Sequence, residues 1–226
     1  MTGTNPLPAS QISGDPYAPI PLGDTPEAGQ AVEWDFTRDP HFLVASLAGR
    51  AATGVTGLIT TTLAARGLRV DVIDPRSQSL PTGLAAEFLH TDPEAIHAAI
   101  KDFAAEMQAA YEANSVYLTN RRFLVVENAH ALAAEHRDTF RLLREISILG
   151  WATGHHLVLA YPARQIPGLH QGDLAVEEFA RLALTGGLFD TRRPLAETAA
   201  APGRALGWIE DTAGTRPLTL HLPTRG

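Results

Sequence analysis

The sequence contains no cysteine, so it can form neither a disulfide bond nor a thiolate metal site. It also lacks an apolar run near the roughly 20 residues that a membrane-spanning helix needs. Its N-terminus has neither the basic start nor the apolar core of a signal peptide. We therefore expect a cytoplasmic protein that does not insert into a membrane. The net charge of −7 argues against a free-standing nucleic-acid-binding module, because such modules usually carry a basic face.

The composition indicates one folded domain preceded by a tail. The chain has 226 residues, of which 45% are hydrophobic, and this is enough for one good-sized core. Residues 1–19 are rich in Pro, Gly, Ser and Thr and show no hydrophobic periodicity, so we predict a disordered tail there. Residues 20–226 are predicted to form a single domain.

Apolar runs and helical patterns alternate along this domain. In the clearest helix, residues 92–114, apolar side chains recur every three or four positions, Asp92 suits the N-cap and Pro93 the first turn. Strands alternating with helices predict an α/β fold whose mainly parallel central sheet is covered by helices on both faces. The predicted strands are residues 31–36, 42–45, 69–75, 123–127 and 156–161, with a closing hairpin at 204–210 and 216–222; the other predicted helices are residues 53–65 and 135–149.

Residues 40–53 have the frame of a phosphate-binding loop, in which an apolar strand is followed by a turn and a helix. A working loop reads Gly-x-x-x-x-Gly-Lys-[Ser/Thr], with the lysine on the β- and γ-phosphates and the hydroxyl on magnesium. Thr53 keeps the hydroxyl, but both glycines and the lysine of the pattern are replaced. The eight positions are Ser46, Leu47, Ala48, Gly49, Arg50, Ala51, Ala52 and Thr53.

The order of motifs resembles the motor domain of the FtsK/SpoIIIE DNA-translocase family, which includes plasmid-transfer and type VII secretion ATPases. The similarity extends over about residues 20–222 and implies a P-loop NTPase fold of the RecA/FtsK type, with ATP and magnesium as the family's cofactors. The segments that carry it are residues 21–45, 73–76 (IDPR), 91–112, 149–160 and 202–222.

This chain departs from the family at the positions that carry its chemistry. The resemblance places the phosphate-loop lysine at Ala52, the Walker B Asp-Glu pair at Glu127 and Asn128, and an arginine at Trp151. Loss of one preorganised electrostatic donor typically lowers a rate by about 10²–10³, and Asn128 has no titratable group with which to act as a general base. We therefore predict a catalytically degenerate member, a pseudo-ATPase with no catalytic residue and no required cofactor.

The sequence offers three alternatives to that prediction. A slow ATPase with a non-standard loop would place Arg50 on a phosphate and magnesium between Thr53 and Glu127. A dinucleotide-binding fold would use Asp74 for the ribose, but the Gly-x-Gly-x-x-Gly spacing is absent. A zinc site is not favoured, because the histidine pairs lack helical i, i+4 spacing, and His155 and His156 are expected on opposite faces of a strand.

Two further features suggest contacts with other macromolecules. Arg137, Arg141 and Arg144 form a basic stripe on one helix face, for which the alternative is a solvated face with Arg141 paired to Glu145. Trp151 is a candidate interface anchor or a core residue. Our leading hypothesis is a regulatory or structural partner of an active DNA-translocating or secretion ATPase, or a self-associating protein. A DNA-binding accessory factor is a third hypothesis, which the overall acidity disfavours.

Overall fold

The computed structural model describes residues 15–46, 49–75, 89–114, 121–135, 137–162, 179–184 and 204–221. Within them, ten strands and four helices alternate in a pattern typical of α/β proteins. In chain order these are β1 (Ile20–Asp24), β2 (Ala31–Trp34), β3 (His41–Ser46), α1 (Gly49–Ala65), β4 (Arg69–Ile73), β5 (Leu89–His90), α2 (Pro93–Glu112), β6 (Arg122–Val126), α3 (Ala129–Glu135), α4 (Arg137–Thr153), β7 (His155–Pro162), β8 (Phe179–Ala183), β9 (Arg204–Asp211) and β10 (Gly214–His221).

The described strands form one sheet in the order β2-β1-β10-β9-β8-β3-β7-β6-β4-β5. Neighbouring strands are parallel from β8 to β5 and antiparallel from β9 to β2. The predicted α/β class and mainly parallel centre are confirmed. The antiparallel extension lies at one end of the sheet and includes the predicted closing hairpin, β9 and β10.

Two hydrophobic cores lie on opposite faces of the sheet. Helix α1 packs on one face through Val55, Ile59 and Leu63, and α2, α3 and α4 contribute to the core on the other face. The central strands are apolar on both sides, as expected for parallel strands with helices on each face. In β7, for example, Val158 belongs to the α1 side and Leu157 to the other side.

The antiparallel end of the sheet packs on the same side as α1. Trp34 of β2 lies with its ring centroid 5.0 Å from that of Phe42 in β3 and 6.3 Å from that of Phe123 in β6. Asp39, in the turn between β2 and β3, contacts the turn of the β9–β10 hairpin, since its carboxylate accepts hydrogen bonds from the backbone N–H and the hydroxyl of Thr212 at 3.1 and 2.9 Å. Apolar residues of β1 and β2 belong to the same core as those of α1.

Residues 15–19, the end of the predicted tail, contact the domain. Arg66 donates a hydrogen bond to the carbonyl of Pro19 at 3.0 Å, and the guanidinium of Arg121 lies 5.5 Å from the ring centroid of Tyr17. Residues 1–14 lie outside the described part of the chain, so the disordered tail over residues 1–19 and the domain boundary after it stay predictions.

Helix α2 begins as predicted, whereas α1 begins earlier than predicted and α3 is an additional helix. Asp92 caps α2 as predicted, because its side chain accepts from the backbone N–H groups of Glu94 and Ala95 at 3.0 and 3.2 Å. Helix α1 begins four residues before the predicted Thr53, and α3 was not predicted at all. None of the helices in the described residues is long and apolar enough to cross a membrane.

Candidate nucleotide site

The candidate site lies where parallel strands end beside the start of α1. Asp74 follows β4 and Glu127 follows β6, and these strands are adjacent, with Ile73 paired to Val126. Both carboxylates are buried. Ligands of open α/β sheets bind at this carboxyl edge, and Glu127, the predicted Walker B position, lies there.

Glu127 is tied to α1 by two threonine hydroxyls. One of its carboxyl oxygens accepts a hydrogen bond from Thr56, and the other accepts from Thr53 at 3.4 Å. Burial raises the pKa of Glu127 above its ordinary value, and the negative charge of Asp74 raises it further, while the two threonine hydrogen bonds lower it. The net shift favours the protonated, neutral form of Glu127 relative to an exposed glutamate.

The lysine position of the phosphate loop lies in the hydrophobic core. Ala52 is only 4% exposed and belongs to the core on the α1 side. The chain's only lysine, Lys101, is exposed on α2. Among the described side chains, the charged group that acts on Glu127 is Asp74. The described residues at this edge of the sheet therefore include two acids and no cation in place of the phosphate-loop lysine.

The start of α1 also differs from a working phosphate loop. The helix already includes Gly49, so only two residues separate it from Ser46 at the end of β3. In a helix that begins at Gly49, the amide of Thr53 is the first that can bond to a carbonyl four residues earlier. Leu47 and Ala48 lie outside the described residues, as do the side chains of Arg50 and Ala51. The loop positions they occupy remain predictions.

Asn128 has a backbone φ of 51°, in the left-handed region that few residues other than glycine, asparagine and aspartate adopt without strain. Its carbonyl accepts from the backbone N–H of Ala131 at 2.8 Å and so starts α3. Asparagine therefore suits the turn between β6 and α3. Its amide supplies no general base.

The predicted interaction residues lie elsewhere, on α4. Arg141 is exposed and lies 3.6 Å from Glu145, the predicted solvated pair. Trp151 is 63% exposed and so is not a core residue. It lies in the last turn of α4, just before β7 begins at the amino edge of the sheet. Glu127 lies at the other edge, where the parallel strands end. The side chain of Arg137 is outside the described part.

Sequence reasoning missed Thr56 as a member of the site. The only signal was its position three residues after Thr53, which places both hydroxyls on one face of α1. Asp74 had been weighed only as a ribose ligand of a dinucleotide fold, whereas the structure places it beside Glu127. Within the described residues, no group of three or more His, Cys, Asp or Glu side chains is arranged to hold a metal ion. His155 and His156 point to opposite faces, as predicted, because they contact Phe103 and Phe123 respectively.

The described strands and helices form an α/β fold of the P-loop NTPase type. The cytoplasmic domain of the Thermomonospora curvata type VII secretion ATPase EccC superposes with a TM-score of 0.75 at 22% identity, over 97% of this chain and 28% of that chain. The cytoplasmic domain of EssC gives 0.66 at 15% identity, over 98% and 47%. The pCW3 conjugation coupling protein TcpA, in its monomer form with ATPγS, gives 0.69 at 16% identity, over 98% and 72%.

These similarities confirm the expected resemblance to FtsK/SpoIIIE-type motor domains at the level of the fold. No protein-family model matches the sequence, and no curated protein matches it. The chain spans less than half of the EccC and EssC structures.

Proposed function

We propose that this protein is a catalytically degenerate FtsK-like P-loop protein that serves as a structural or regulatory partner of an active DNA-translocating or secretion ATPase. The observation that carries the proposal is that Ala52, a buried core residue, stands at the position of the phosphate-loop lysine. Phosphoryl transfer depends on positive charge placed around the phosphates in advance. Among the described residues at the site, the ionisable side chains Glu127 and Asp74 are acids and supply no such charge.

The retained scaffold supports the partner role. The chain keeps the fold of secretion ATPases and of a conjugation coupling protein over nearly its whole length. At its predicted Walker B position, the Glu127 carboxyl group already accepts hydrogen bonds from Thr53 and Thr56 of the same protein. A domain of this shape can occupy a motor domain's place in an assembly without turning over nucleotide. Native co-purification should therefore recover an active ATPase with this chain, and recovery of no ATPase would contradict the role.

The first experiment is a calorimetric titration of the purified protein with Mg-ATP and with a non-hydrolysable analogue. We expect no binding heat and no shift in melting temperature, because no cation among the described residues takes the place of the phosphate-loop lysine. Magnesium alone serves as the control for ion binding. A dissociation constant in the micromolar range for Mg-ATP would contradict a nucleotide-free scaffold.

A second candidate is a slow ATPase, which one observation favours. Thr53 and Glu127 lie within 3.4 Å of each other and supply the oxygen ligands that magnesium prefers. Bound magnesium would favour the charged carboxylate, whose pKa burial now raises. This reading requires steady ATP turnover that Thr53→Ala and Glu127→Gln each abolish. Thr61→Ala, at an exposed position of the same helix, is the matched control and should leave turnover unchanged. Absence of turnover in the unaltered protein removes this candidate.

A further inference from the structure

The outer face of α4 combines exposed apolar and basic side chains. Ile148 and Trp151 are 46% and 63% exposed, and Arg141 and Arg144 are also exposed. These four residues recur at i, i+3, i+7 and i+10, so they form one continuous surface, which we call the α4 stripe. Large exposed apolar side chains beside arginines are a common composition of protein interfaces.

The outer face of the neighbouring helix, α2, has the complementary chemistry. It presents three exposed carboxylates and one lysine, with small alanines between them. We call this surface the α2 face; it comprises Glu94, Ala98, Lys101, Asp102, Ala105, Ala109 and Glu112. The basic stripe and the acidic face therefore belong to the same helical layer of one molecule.

The two helices are parallel and their axial alignment is known. Each connects parallel strands of the same sheet, so both run in the same direction. His97 in the first turns of α2 contacts Thr139 in the first turn of α4, with Nδ1 2.9 Å from Oγ1. Each residue of α4 therefore lies at the same level along the helix axes as the residue of α2 that precedes it by 42 positions, to within about one helical turn of 5.4 Å.

We propose that the occupant of the α4 stripe is the α2 face of a second copy of this chain. A two-fold axis parallel to the helices turns the helical layer of one copy onto that of the other. It places α4 of each protomer on α2 of its partner, so the same complementary contact forms twice. A two-fold contact of this kind is self-complementary and closed, which is the commonest arrangement in soluble oligomers.

The register of this dimer follows from the alignment of the helices. A two-fold axis along the helices keeps every residue at its own level, so Arg144 meets Asp102 and Trp151 meets Ala109 of the second copy. In each pair, the two residues lie the same number of positions beyond the His97–Thr139 contact in their own helices. They are therefore on the same side of the two facing helices. Ala109 leaves room for the indole of Trp151, and Lys101 of one copy lies within a turn of the level of Glu145 in the other.

The dimer is tested by sedimentation equilibrium of the full chain, from micromolar to near-millimolar concentration. We expect a monomer–dimer equilibrium that weakens at high salt. Trp151→Ala should raise the dissociation constant at least about tenfold, as expected for a central aromatic anchor. Arg144→Glu and Asp102→Arg should each weaken the dimer by a similar factor, because each places like charges opposite one another.

The double variant Asp102→Arg with Arg144→Glu reverses both charges and should restore the dissociation constant to near that of the unaltered chain. Arg38→Glu, at an exposed position in the turn between β2 and β3, is the matched charge control and should have little effect. Melting curves establish that each variant is folded. A chain that stays monomeric throughout, a dimer that Arg144→Glu does not weaken, or a double variant as weak as its single parents would overturn the proposal.

Discussion

At pH 5 the folded protein is expected to be less stable than at pH 7 by roughly 6 kcal/mol, with about 2 kcal/mol from each of three buried histidines. His41, His155 and His156 are 0%, 4% and 1% exposed. A typical domain is stable by only about 5–15 kcal/mol. Mild acid should therefore unfold this protein or bring it close to unfolding.

The three histidines are held as neutral rings at the amino edge of the sheet. His41 Nδ1 accepts a hydrogen bond from the backbone N–H of Leu157 at 2.9 Å, which requires an unprotonated nitrogen. His156 Nδ1 donates to the carbonyl of Pro40 at 2.7 Å, and Arg121 lies 3.2 Å from its Nε2. Protonation would add positive charge inside the core and beside an arginine.

Burial is the main cause of the pKa shift in each ring. It lowers the pKa of His41 to about 3 and that of His155 to about 4, and it lowers the pKa of His156 well below its ordinary value. The unfolded chain, with ordinary histidine pKa values near 6.5, binds more protons than the folded chain between pH 6.5 and these lower values. Stability is therefore fully present above about pH 6.5 and is lost as the pH falls through this window, by about 1.4 kcal/mol per pH unit for each ring.

Chemical denaturation at several pH values measures this slope. His41→Asn keeps an acceptor near the position of Nδ1 but cannot titrate, so the slope should fall by about one third, whatever the variant loses in stability at pH 7. A denaturation midpoint that stays constant between pH 7 and pH 5 would show that the rings are not neutral in the fold.

The buried parallel strands could be predicted from the sequence because their pattern is strong. Strands β3, β6 and β7 contain continuous apolar runs, and β4 has apolar residues on both sides of Asp71; each lies within a residue or two of its predicted position. By contrast, β5 has only two residues, which are too few to carry a pattern. Strand β8 was not predicted, although it is as long as β4 and β6. Helix α3 escaped prediction because its seven residues are mostly alanine and lack a separate polar face.

For the candidate site, the sequence indicated which residues to consider but not the hydrogen bonds that join them. The resemblance located Ala52, Thr53 and Glu127, and the structure places Glu127 next to Thr53. The contact between Thr56 and Glu127 joins residues 71 positions apart, and local spacing contains no information on such a contact. The start of α1 at Gly49 was missed because a turn was expected over the whole loop pattern.

Glu127→Ala is expected to lower the free energy of unfolding by about 2–4 kcal/mol, because it leaves a cavity and removes the acceptor of two threonine hydroxyls. Thr56 is 1% exposed, and without the carboxylate its hydroxyl keeps only the carbonyls of Ala52 and Thr53, each 3.2 Å away, as acceptors. The size of this effect depends on hydrogen bonding and packing rather than on charge. Glu127→Gln, a neutral side chain of the same shape, separates the effect of charge from the effects of hydrogen bonding and packing.

Glu127→Gln keeps the shape and an acceptor oxygen but cannot ionise, and it should stabilise the protein at neutral pH. Burial and Asp74 raise the pKa of Glu127 above its unfolded value, so the folded state favours the protonated acid. The stabilising contribution of that acid is present below about pH 4.5 and is lost as the pH rises through the folded pKa. The gain from glutamine should therefore grow with pH, opposite in sign to the histidine effect. Denaturation of both variants from pH 5 to pH 8 measures it.

The two Glu127 variants also separate a structural carboxylate from a magnesium ligand. If Glu127 serves only to join α1 to the end of β6, Glu127→Gln is stabilised whether or not magnesium and ATP are present. If it holds magnesium, the unaltered protein gains stability from Mg-ATP and the glutamine variant does not, since an amide is a weaker ligand than a carboxylate. Loss of stability in Glu127→Gln at neutral pH without ligand would show that the folded state depends on the charged form. Glu127 would then have a positively charged partner outside the described side chains. The proposal that the site has no phosphate-binding cation would be wrong.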